Sequence, residues 1–376
     1  MKHDHLRIEI DGSEVEELYA DLVGLEVELD DELAGMFRID VALLLGTDGT
    51  WPYLDDERFT LWHRVDVTAG LEDDPTRLIS GYITHLRPRL GSRLDQCRLE
   101  IWGMDASVLM DRVDRLKDWP NKKDSDIAAE VFETYGLTPD VTDTEVVHDE
   151  VVSTIIQRET DIQLLRRLAL RNGFECFVDG DRGCFRPPPT DGGTQPVLAV
   201  HFGDETNVDH LHLEANALTP VDVAMTQLDR MSGEVLEARA EGGRRPVLGA
   251  EPAASLKAPG DEAGLLCVAR AVTTGAAEMS ALCQGLRDRS EWFVTAEGDV
   301  DANAYGTVLM PRATVLVKGA GEAYSGVYYV THVTHRFTAD GYTQSFRAKR
   351  NALGPKGDED FSGEGAGLLA GLTGGI

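Results

Sequence analysis

The sequence has few cysteines, and they are not arranged as a cross-linking or metal-binding framework. Their number is odd and no two form a Cys-x-x-Cys pair. Disulfide frameworks and cysteine-rich zinc sites both need paired thiols at regular spacing, so this pattern argues against both. We predict small buried thiols at the five positions, which are Cys97, Cys176, Cys184, Cys267 and Cys283.

Long hydrophobic runs are also missing. No stretch approaches the roughly 18 consecutive apolar residues that a membrane-spanning helix needs, so we predict no membrane insertion. The first residues, MKHDHLRIEIDG, contain no apolar signal region. We therefore expect a protein that is made in the cytoplasm and stays there or leaves by a non-classical route.

Basic residues are scarce relative to acidic ones. The chain has 36 Lys and Arg residues against 66 Asp and Glu residues, which gives a formal net charge of −30. A surface of that sign repels nucleic acid and anionic lipid. The composition therefore predicts no specific nucleic-acid binding.

Common catalytic and metal-binding motifs are absent from the sequence. It contains no Gly-x-Ser-x-Gly, no P-loop and no His-Glu-x-x-His. His332 and His335 are three apart, but on a strand they would point to opposite faces, which argues against a shared metal. DVDANAYG, from Asp299, resembles a calcium loop, but Ala304 and Met310 replace the required Gly and Glu, so we predict an ordinary loop. We predict no catalytic, cofactor-binding or metal-ligating residues and no cofactor.

The first hundred residues are typical of β-structure. Segments such as LRIEIDG and RFTLWHRVDVTAG alternate apolar and polar residues, and turn signals separate such segments. We count about six strands and no convincing helix, which favours a small barrel or sandwich.

The middle of the chain shows two helix patterns. In DSDIAAEVFETYGL, Asp124 or Ser125 is the predicted N-cap. In TDIQLLRRLALRNG, Thr160 and Gln163 are predicted to form a capping box, and Gly173 ends the helix. A hairpin is predicted to follow, in GFECFVDGDRGCFRPPP.

Strand patterns return near residue 195, and a further helix is predicted at about 275–289. Before that helix lies GGRRPVLGAEPAASLKAPGDEAG, which has no period and is predicted to be a mobile loop. The chain ends in GPKGDEDFSGEGAGLLAGLTGGI, which is Gly-rich with a weakly apolar end and predicts a flexible tail or an assembly arm.

Two segments about 245 residues apart resemble each other. SGYITHLRPRL begins at Ser80 and SGVYYVTHVTHRF begins at Ser325. Each is predicted to be the first arm of a hairpin near the end of its β-region, with His85 and His332 at equivalent positions. On the residues alone, a true duplication and a chance likeness between strand hairpins both stay open.

The segment IIQRETDIQLLRRLALRNGFECFVDGDRGCFRPP resembles the phage late control protein D family. Members of that family are baseplate hub proteins of contractile phage tails, and the same fold forms the hub half of VgrG, the type VI secretion spike. The matching signature residues are Gln157, Glu159, Asp161, Leu164, Leu165, Arg167, Leu168, Ala169 and Gly173. YSGVYYVTHVTHRFTADGYTQSFRAKRN is similar to the family's closing hairpin. This likeness and the internal repeat add further structural signature residues, which are Ser80, Gly81, Ser325, Gly326 and Tyr328.

The resemblance implies a mainly β fold with an α+β insert. It would contain two similar β-barrel domains of the tube type and a helix-containing middle domain. The implied boundaries are 1–105 for the first barrel, 106–195 for the middle domain and 196–350 for the second barrel, with a loop and helix insertion around 240–290. The Gly-rich tail would cover 351–376.

The resemblance also implies an assembly. Hubs of this family are homotrimers, so three chains with two barrels each would present a ring of six to a hexameric inner tube. Because a duplicated barrel supplies two matching faces per chain, the resemblance favours a true duplication. The other implied partners are a separate trimeric spike, since no needle-forming repeats follow, baseplate wedge proteins, and a tape-measure protein or cargo in the channel. The protein would be part of an assembled virion tail or injection-system baseplate.

Two other functions are consistent with a tail-associated protein. One is a hydrolase that cuts the cell wall, although the residues outside the predicted barrels are too few for such a domain. The other is a scaffold that leaves before the particle matures. A zymogram would reveal the hydrolase, and peptide mass spectrometry of purified particles would distinguish a scaffold from a retained hub.

Overall fold

The structure is a computed structural model with mainly β secondary structure and few helices, as the sequence predicts. None of the helices in the described part of the chain is both long and apolar enough to cross a membrane. The described residues are 4–71, 75–151, 154–191, 194–229, 232–256, 258, 259, 264–357, 359 and 361.

The strands are numbered in chain order. They are β1 (Asp4–Ile10), β2 (Ser13–Glu14), β3 (Leu22–Asp30), β4 (Met36–Ala42), β5 (Arg64–Leu71), β6 (Thr76–Arg89), β7 (Arg98–Asp105), β8 (Arg115–Trp119), β9 (Lys122–Lys123), β10 (Thr138–Val141), β11 (Val147–His148), β12 (Ile155–Glu159), β13 (Glu175–Asp179), β14 (Arg182–Arg186), β15 (Thr194–Ala199), β16 (Val208–Ala215), β17 (Val221–Leu228), β18 (Val235–Ala240), β19 (Glu251–Pro252), β20 (Gly264–Val268), β21 (Val294–Asp301), β22 (Ala313–Lys318), β23 (Gly326–Thr338), β24 (Gly341–Arg350) and β25 (Ala352–Leu353).

The helices are mostly short. They are α1 (Leu18–Asp21), α2 (Ser107–Met110), α3 (Asp124–Thr134), α4 (Asp161–Asn172), α5 (Ala276–Ser290), α6 (Ala302–Tyr305) and α7 (Gly321–Tyr324), with 3-10 turns at Leu94–Gln96, Gly203–Glu205 and Ala253–Ser255.

Strands β1 to β7 form the first β-module. Their spatial order is β2–β1–β5–β6–β7–β4–β3, and every neighbouring pair is antiparallel. In β4 and β7 every second residue is buried, because successive side chains of a strand point to opposite faces. The sheet curls around a core that includes Ile8, Phe37, Ile39, Val67 and Ile101.

Strands β15, β16 and β21 to β24 form the second β-module. Their spatial order is β15–β22–β23–β24–β21–β16, in which only β15 and β22 are parallel. This module has its own core, which includes Val294, Val315, Val317, Val330 and Phe346.

The two modules have the same strand order. In the first module, β3 to β7 are arranged as β5–β6–β7–β4–β3, and their counterparts are arranged as β22–β23–β24–β21–β16. The five strands of each copy therefore have the same order along the chain and the same neighbours in the sheet. Strands β3 and β16 each contain a β-bulge at the equivalent position, where the extra residues are Val23 and Asp209.

A second pair of bulges lies in β6 and β23. The extra residues are Thr84 and Thr331. Each bulge faces the other strand of its hairpin, which is β7 for Thr84 and β24 for Thr331. The Thr84 hydroxyl donates to the Trp102 carbonyl at 3.3 Å, and the Thr331 hydroxyl donates to the Arg347 carbonyl at 3.2 Å. Four bulges at matched positions support a true duplication over a chance likeness.

Direct strand pairing joins the two modules. Residues 332–338 of β23 pair antiparallel with residues 24–30 of β3, whereas residues 326–330 of β23 pair with β22. The neighbour of β23 therefore changes at the Thr331 bulge. The sheet continues from one module into the other.

The core of the first β-module includes side chains from the second. Phe337 of β23 and Tyr342 of β24 are buried in it, and their rings stack 4.1 Å apart. The two modules are therefore packed together as well as paired.

The middle layer consists of β8 to β14 with α3 and α4. Its core includes Trp119, Phe132, Leu165, Leu168 and Phe185. The predicted hairpin is β13 and β14, and β10 pairs parallel with β14.

Both predicted N-terminal caps in this layer are wrong in detail. Helix α3 begins at Asp124 with Lys123 as its N-cap. Thr160 is the N-cap of α4 but does not form a capping box, because its hydroxyl and the Gln163 amide both donate to Asp111 Oδ1, at 2.6 and 3.0 Å.

Between β16 and β21 the chain forms a side insert made of β17, β18, β20 and α5. Its small core contains Val223, Met225, Met279 and Cys283. Described residues of the predicted mobile loop are held by packing and pairing: Leu248 is buried, and β19 pairs with β25.

Three further predictions are corrected or fall outside the described residues. Cys267 is exposed, whereas the other four cysteines are buried as predicted. The segment from Asp299 is not an ordinary loop, because it ends β21 and forms α6, where Asp301 Oδ1 accepts from the Ala304 N–H at 3.0 Å. Most of the predicted tail, residues 362–376, lies outside the described residues.

Candidate functional site

Gln157 and Asp161 lie at the centre of a hydrogen-bond network at the start of α4. The buried Gln157 amide accepts from Trp119 Nε1 at 3.1 Å and donates to Asp161 Oδ1 at 2.7 Å. Asp161 Oδ2 accepts from the Tyr135 hydroxyl at 2.6 Å and from Arg115 Nε at 2.7 Å. Burial raises the pKa of Asp161, but these hydrogen bonds outweigh it, so the pKa lies below its usual value. The network anchors α4 to β8, β12 and the end of α3.

The other signature residues of this segment also shape α4. Glu159 and Arg167 form a partly exposed ion pair with a nitrogen–oxygen distance of 2.6 Å. Leu165 and Leu168 are buried in the middle-layer core. Gly173, with φ at 69°, takes the left-handed conformation that ends the helix. The structure brings the predicted set together around one helix, where its polar groups position the backbone.

His332 and His335 lie on opposite faces of β23, as strand geometry predicts. His332 Nδ1 is 3.1 Å from Asp30 Oδ2. His335 is fully buried with its Nδ1 2.8 Å from the Tyr342 hydroxyl, and burial lowers its pKa to about 3. Across the described ranges, no group of three or more His, Cys, Asp or Glu side chains could hold a metal ion.

The bulges align the two modules residue by residue. His85 and His332 each follow a bulged threonine, so they occupy equivalent positions, as predicted. The two Ser-Gly pairs do not align, because 325–326 lies two residues earlier than 80–81 relative to these histidines. The shared Ser-Gly letters are therefore not structurally equivalent.

The first Ser-Gly pair supports the packing of β6 between its neighbours. The Ser80 hydroxyl accepts from Arg64 Nε at 3.0 Å. A Cβ atom on Gly81 would lie less than 3.0 Å from the carbonyl carbon and oxygen of Met104 on β7. Only glycine allows this close approach of the two strands.

The second pair lies against a buried arginine. The Ser325 carbonyl accepts from Arg350 Nη1 at 3.0 Å, and a Cβ atom on Gly326 would lie less than 3.0 Å from the Arg350 guanidinium. Nearby, the Tyr328 hydroxyl donates to the Tyr324 carbonyl at 2.8 Å, and burial raises the pKa of Tyr328 to about 12.

A charged cluster lies where the middle layer meets the strands that join the two modules. We call it the junction cluster, and its members are Asp31, Glu175, Tyr329 and Lys349. The Tyr329 hydroxyl lies 2.8 and 2.7 Å from the two Glu175 carboxylate oxygens, and Lys349 Nζ lies 2.7 Å from Asp31 Oδ2. Burial, with a smaller contribution from the Asp31 charge, raises the pKa of Glu175 to about 7 against the opposing effect of Lys349.

Glu175→Gln is expected to stabilise the protein above pH 7 and to change it little near pH 5. The folded pKa of about 7 exceeds the usual 4.5, so the native state binds more protons between these values. The wild type therefore loses stability as pH rises through this range, by roughly 1–3 kcal/mol, and an amide removes that loss. Thermal unfolding from about pH 5 to about pH 8 measures the difference.

The matched control for this prediction is Glu322→Gln. Glu322 is exposed, so its replacement is expected to give the same small difference at every pH. A difference between wild type and Glu175→Gln that does not grow with pH would contradict the predicted ionisation of a buried carboxyl group.

A second charged cluster, which no sequence motif predicted, is buried between α3, α4 and α5. Arg171 Nε lies 2.7 Å from Asp124 Oδ2, and Arg171 Nη1 lies 2.8 Å from Glu278 Oε1. His148 Nε2 lies 2.9 Å from Asp124 Oδ1. We call these four residues the helix cluster.

The helix cluster contains charges that stabilise one another. Burial opposes ionisation at Asp124, His148 and Glu278, but their hydrogen bonds and ion pairs outweigh it. The pKa values of both carboxyl groups are therefore lowered and that of His148 is raised. One signal was present in the sequence: Arg171 follows Leu164 and Leu168 at helical spacing, in the apolar stripe of α4.

The fold is similar to those of solved tail and secretion proteins. The 43 kDa tail protein of prophage MuSo2 from Shewanella oneidensis matches with a TM-score of 0.68 and 14% identity, over 93% of this chain and 100% of that chain. A tail protein from Neisseria meningitidis MC58 matches with a TM-score of 0.64 and 13% identity, over 93% and 97%. An Escherichia coli type VI secretion component, described as structurally similar to T4 tail proteins gp27 and gp5, matches with 0.53 and 13%, over 93% and 76%.

At these identities the likeness shows a shared fold. No curated protein sequence matches the chain. The model of the Alg8_N family, described as the Alg8 N-terminal domain, matches residues 2–339, and the chain therefore belongs to the Alg8 N-terminal domain family.

Proposed function

We propose that the protein is the structural baseplate hub of a contractile injection machine, either a phage tail or an extracellular injection system. In this role it is a homotrimer that adapts a hexameric inner tube to a trimeric spike. The observation that carries the proposal is the duplicated strand module, with the same strand order and matched bulges in both copies. The likeness in fold to tail proteins supports the same role.

The duplication would allow one protein to match two different symmetries. A sixfold tube and a threefold spike can share an axis only through a part that presents six similar faces on one side and three on the other. Three chains with two similar modules each provide such a part. Because β3 of one module pairs with β23 of the other, each chain already contains one of the six junctions that the ring needs.

The proposed work of the hub is mechanical. It joins the tube to the spike, contacts the baseplate wedge proteins, and leaves a channel for a tape-measure protein or cargo. The proposal includes no catalytic activity, no cofactor, no specific nucleic-acid binding and no membrane insertion. The signature residues of α4 have a structural role, since their side chains hold that helix against β8 and β12.

We also propose that the chain divides as the resemblance implies, into 1–105, 106–195, 196–350 and 351–376. The separate hydrophobic cores of the β-modules and the middle layer support this division. The first core includes Phe337 and Tyr342 from the second module, so the two β-modules would not separate freely in solution.

The mass of the purified protein tests the proposed function. We expect light scattering after size-exclusion chromatography to give three times the 41.1 kDa of one chain. Cryo-electron microscopy of the same sample should give a threefold particle whose upper face carries six similar lobes. A protein that stays monomeric or forms only a closed dimer would contradict the proposal.

A further inference from the structure

Several strand edges lack a partner within the described part of the chain, and two of them belong to the equivalents of the strands that join the modules. Residues 84–89 of β6 pair with β7 on one side, and no strand of the described residues pairs with them on the other side. Among the described strands, β16 pairs with β21 alone. In the duplicated module, β6 corresponds to β23 and β16 corresponds to β3, and β23 and β3 do pair.

The exposure of apolar side chains on these edges supports a missing neighbour. Leu25 and Val27 of β3 are fully buried, whereas their counterparts Leu211 and Leu213 on β16 are half-buried. The difference in exposure is larger for the other pair of equivalent strands, β23 and β6. Phe337 is 7% exposed because it packs into the first core, but its counterpart Leu90 is 58% exposed.

Charge on the two edges is complementary. Residues 76–94 contain four arginines and no acidic residue, although the chain has a net charge of −30. Strand β16 carries Asp209 and Glu214 instead. Opposite charges that face each other across strands are favourable, so the charges on the β6 edge suit those on β16.

A proline in β6 is consistent with an edge strand whose hydrogen bonding is incomplete. Pro88 has no N–H, and prolines within sheets are confined to edge strands or bulges. A strand added at this edge would lack one hydrogen bond at Pro88, while its neighbours could still bond. This interruption also makes the edge a poor template for unrelated strands.

We infer that the β16 edge of one chain pairs with the β6 edge of a second copy, in the register that β3 and β23 use within the chain. Counted from the bulges, Arg87 would lie opposite Glu214, as Thr334 lies opposite Glu28. The inference rests on the proposed function, for which it names the interface between subunits. Each subunit contact repeats the junction within the chain, so alternating internal and external junctions form the ring.

A disulfide between the two edges tests this register. Arg87→Cys and Glu214→Cys are introduced into the same full-length chain, with exposed Cys267 replaced by serine to remove a reactive thiol. Opposed residues on antiparallel strands have Cα atoms roughly 4.5–5.5 Å apart, which a disulfide spans. We expect most of the oxidised protein to migrate as a covalent trimer on a non-reducing gel, and as a single chain after reduction.

Two controls isolate the contact. Chains that carry only Arg87→Cys, mixed with chains that carry only Glu214→Cys, are expected to give a covalent dimer. Arg87→Cys combined with Glu297→Cys is expected to give no cross-link, because Glu297 is also exposed but lies on the next strand, β21.

The possible outcomes separate this inference from the proposed function. A trimer by light scattering that forms no cross-link would overturn the proposed edge pairing and leave the hub proposal standing. A covalent ladder longer than three chains would support the edge pairing and contradict the threefold ring, since a heterologous contact that does not close forms a filament. A monomer without a cross-link would contradict both.

Discussion

Replacement of Arg171 by leucine is expected to lower the free energy of unfolding by about 3–5 kcal/mol, one of the largest effects of any single substitution in this protein. The Arg171 guanidinium bonds to both Asp124 and Glu278, and both carboxylates are buried. Leucine would leave Asp124 with hydrogen bonds from His148 and Asn172, and Glu278 with a hydrogen bond from the Thr274 N–H. The cost is that of two buried carboxylates that lose the guanidinium between them. Chemical denaturation of the purified variant measures it.

Arg167→Leu is the matched control, because it removes an arginine ion pair from the same helix. The Arg167 side chain is 42% exposed and that of Arg171 is 12% exposed. An exposed pair contributes about 0–1 kcal/mol, so the control is expected to be nearly neutral. Adding Asp124→Asn and Glu278→Gln to Arg171→Leu should recover part of the loss. Equal effects of the two arginine substitutions would show that the helix cluster is not the constraint we infer.

Gly81→Ala is expected to destabilise the protein by about 1–3 kcal/mol, and Gly81→Val by more. The added Cβ would lie less than 3.0 Å from the Met104 carbonyl group, which belongs to the backbone of β7 and cannot rotate away. The strands β6 and β7 would have to separate at that point, at the cost of hydrogen bonds between them. Thermal unfolding measures the loss, and size-exclusion chromatography shows whether the trimer that we propose also dissociates.

Gly242→Ala provides the comparison for this substitution. A Cβ on Gly242 would meet nothing within 4 Å, and its φ is not in the left-handed range, so alanine there is expected to be neutral or slightly stabilising. If Gly81→Ala were also neutral, the close approach of β6 and β7 would not require glycine at this position.

Much of the local structure was predictable because it depends on side-chain periodicity. The alternation in LRIEIDG predicted β1, and the apolar spacing in TDIQLLRRLALRNG predicted α4 within one residue at each end. The caps were less predictable, since Thr160 and Gln163 bond to Asp111, which lies about 50 residues earlier in the chain. A local motif cannot predict a hydrogen-bond acceptor that is distant in sequence and competes for the same side chains.

The candidate site was predictable as a set of residues but not as a network. The resemblance to hub proteins pointed to Gln157 and Asp161, whereas Trp119 and Arg115, which complete their hydrogen bonds, carry no signal of their own. The helix cluster was missed for a similar reason. Its four members come from four separate elements, and only packing brings Asp124 and Glu278 to the same arginine.

The sequence by itself determined the mainly β character and the helices of the middle layer, because these follow from patterns within short segments. It left open whether the two similar segments come from a duplication, which the matched bulges support. Only the tertiary structure decided how the repeats correspond. It showed that Thr84 and Thr331 align through their bulges while the Ser-Gly letters do not, and that β3 pairs with β23. Strand neighbours and register are set by hydrogen bonds and burial between segments hundreds of residues apart, and no local pattern encodes which edge a strand will meet.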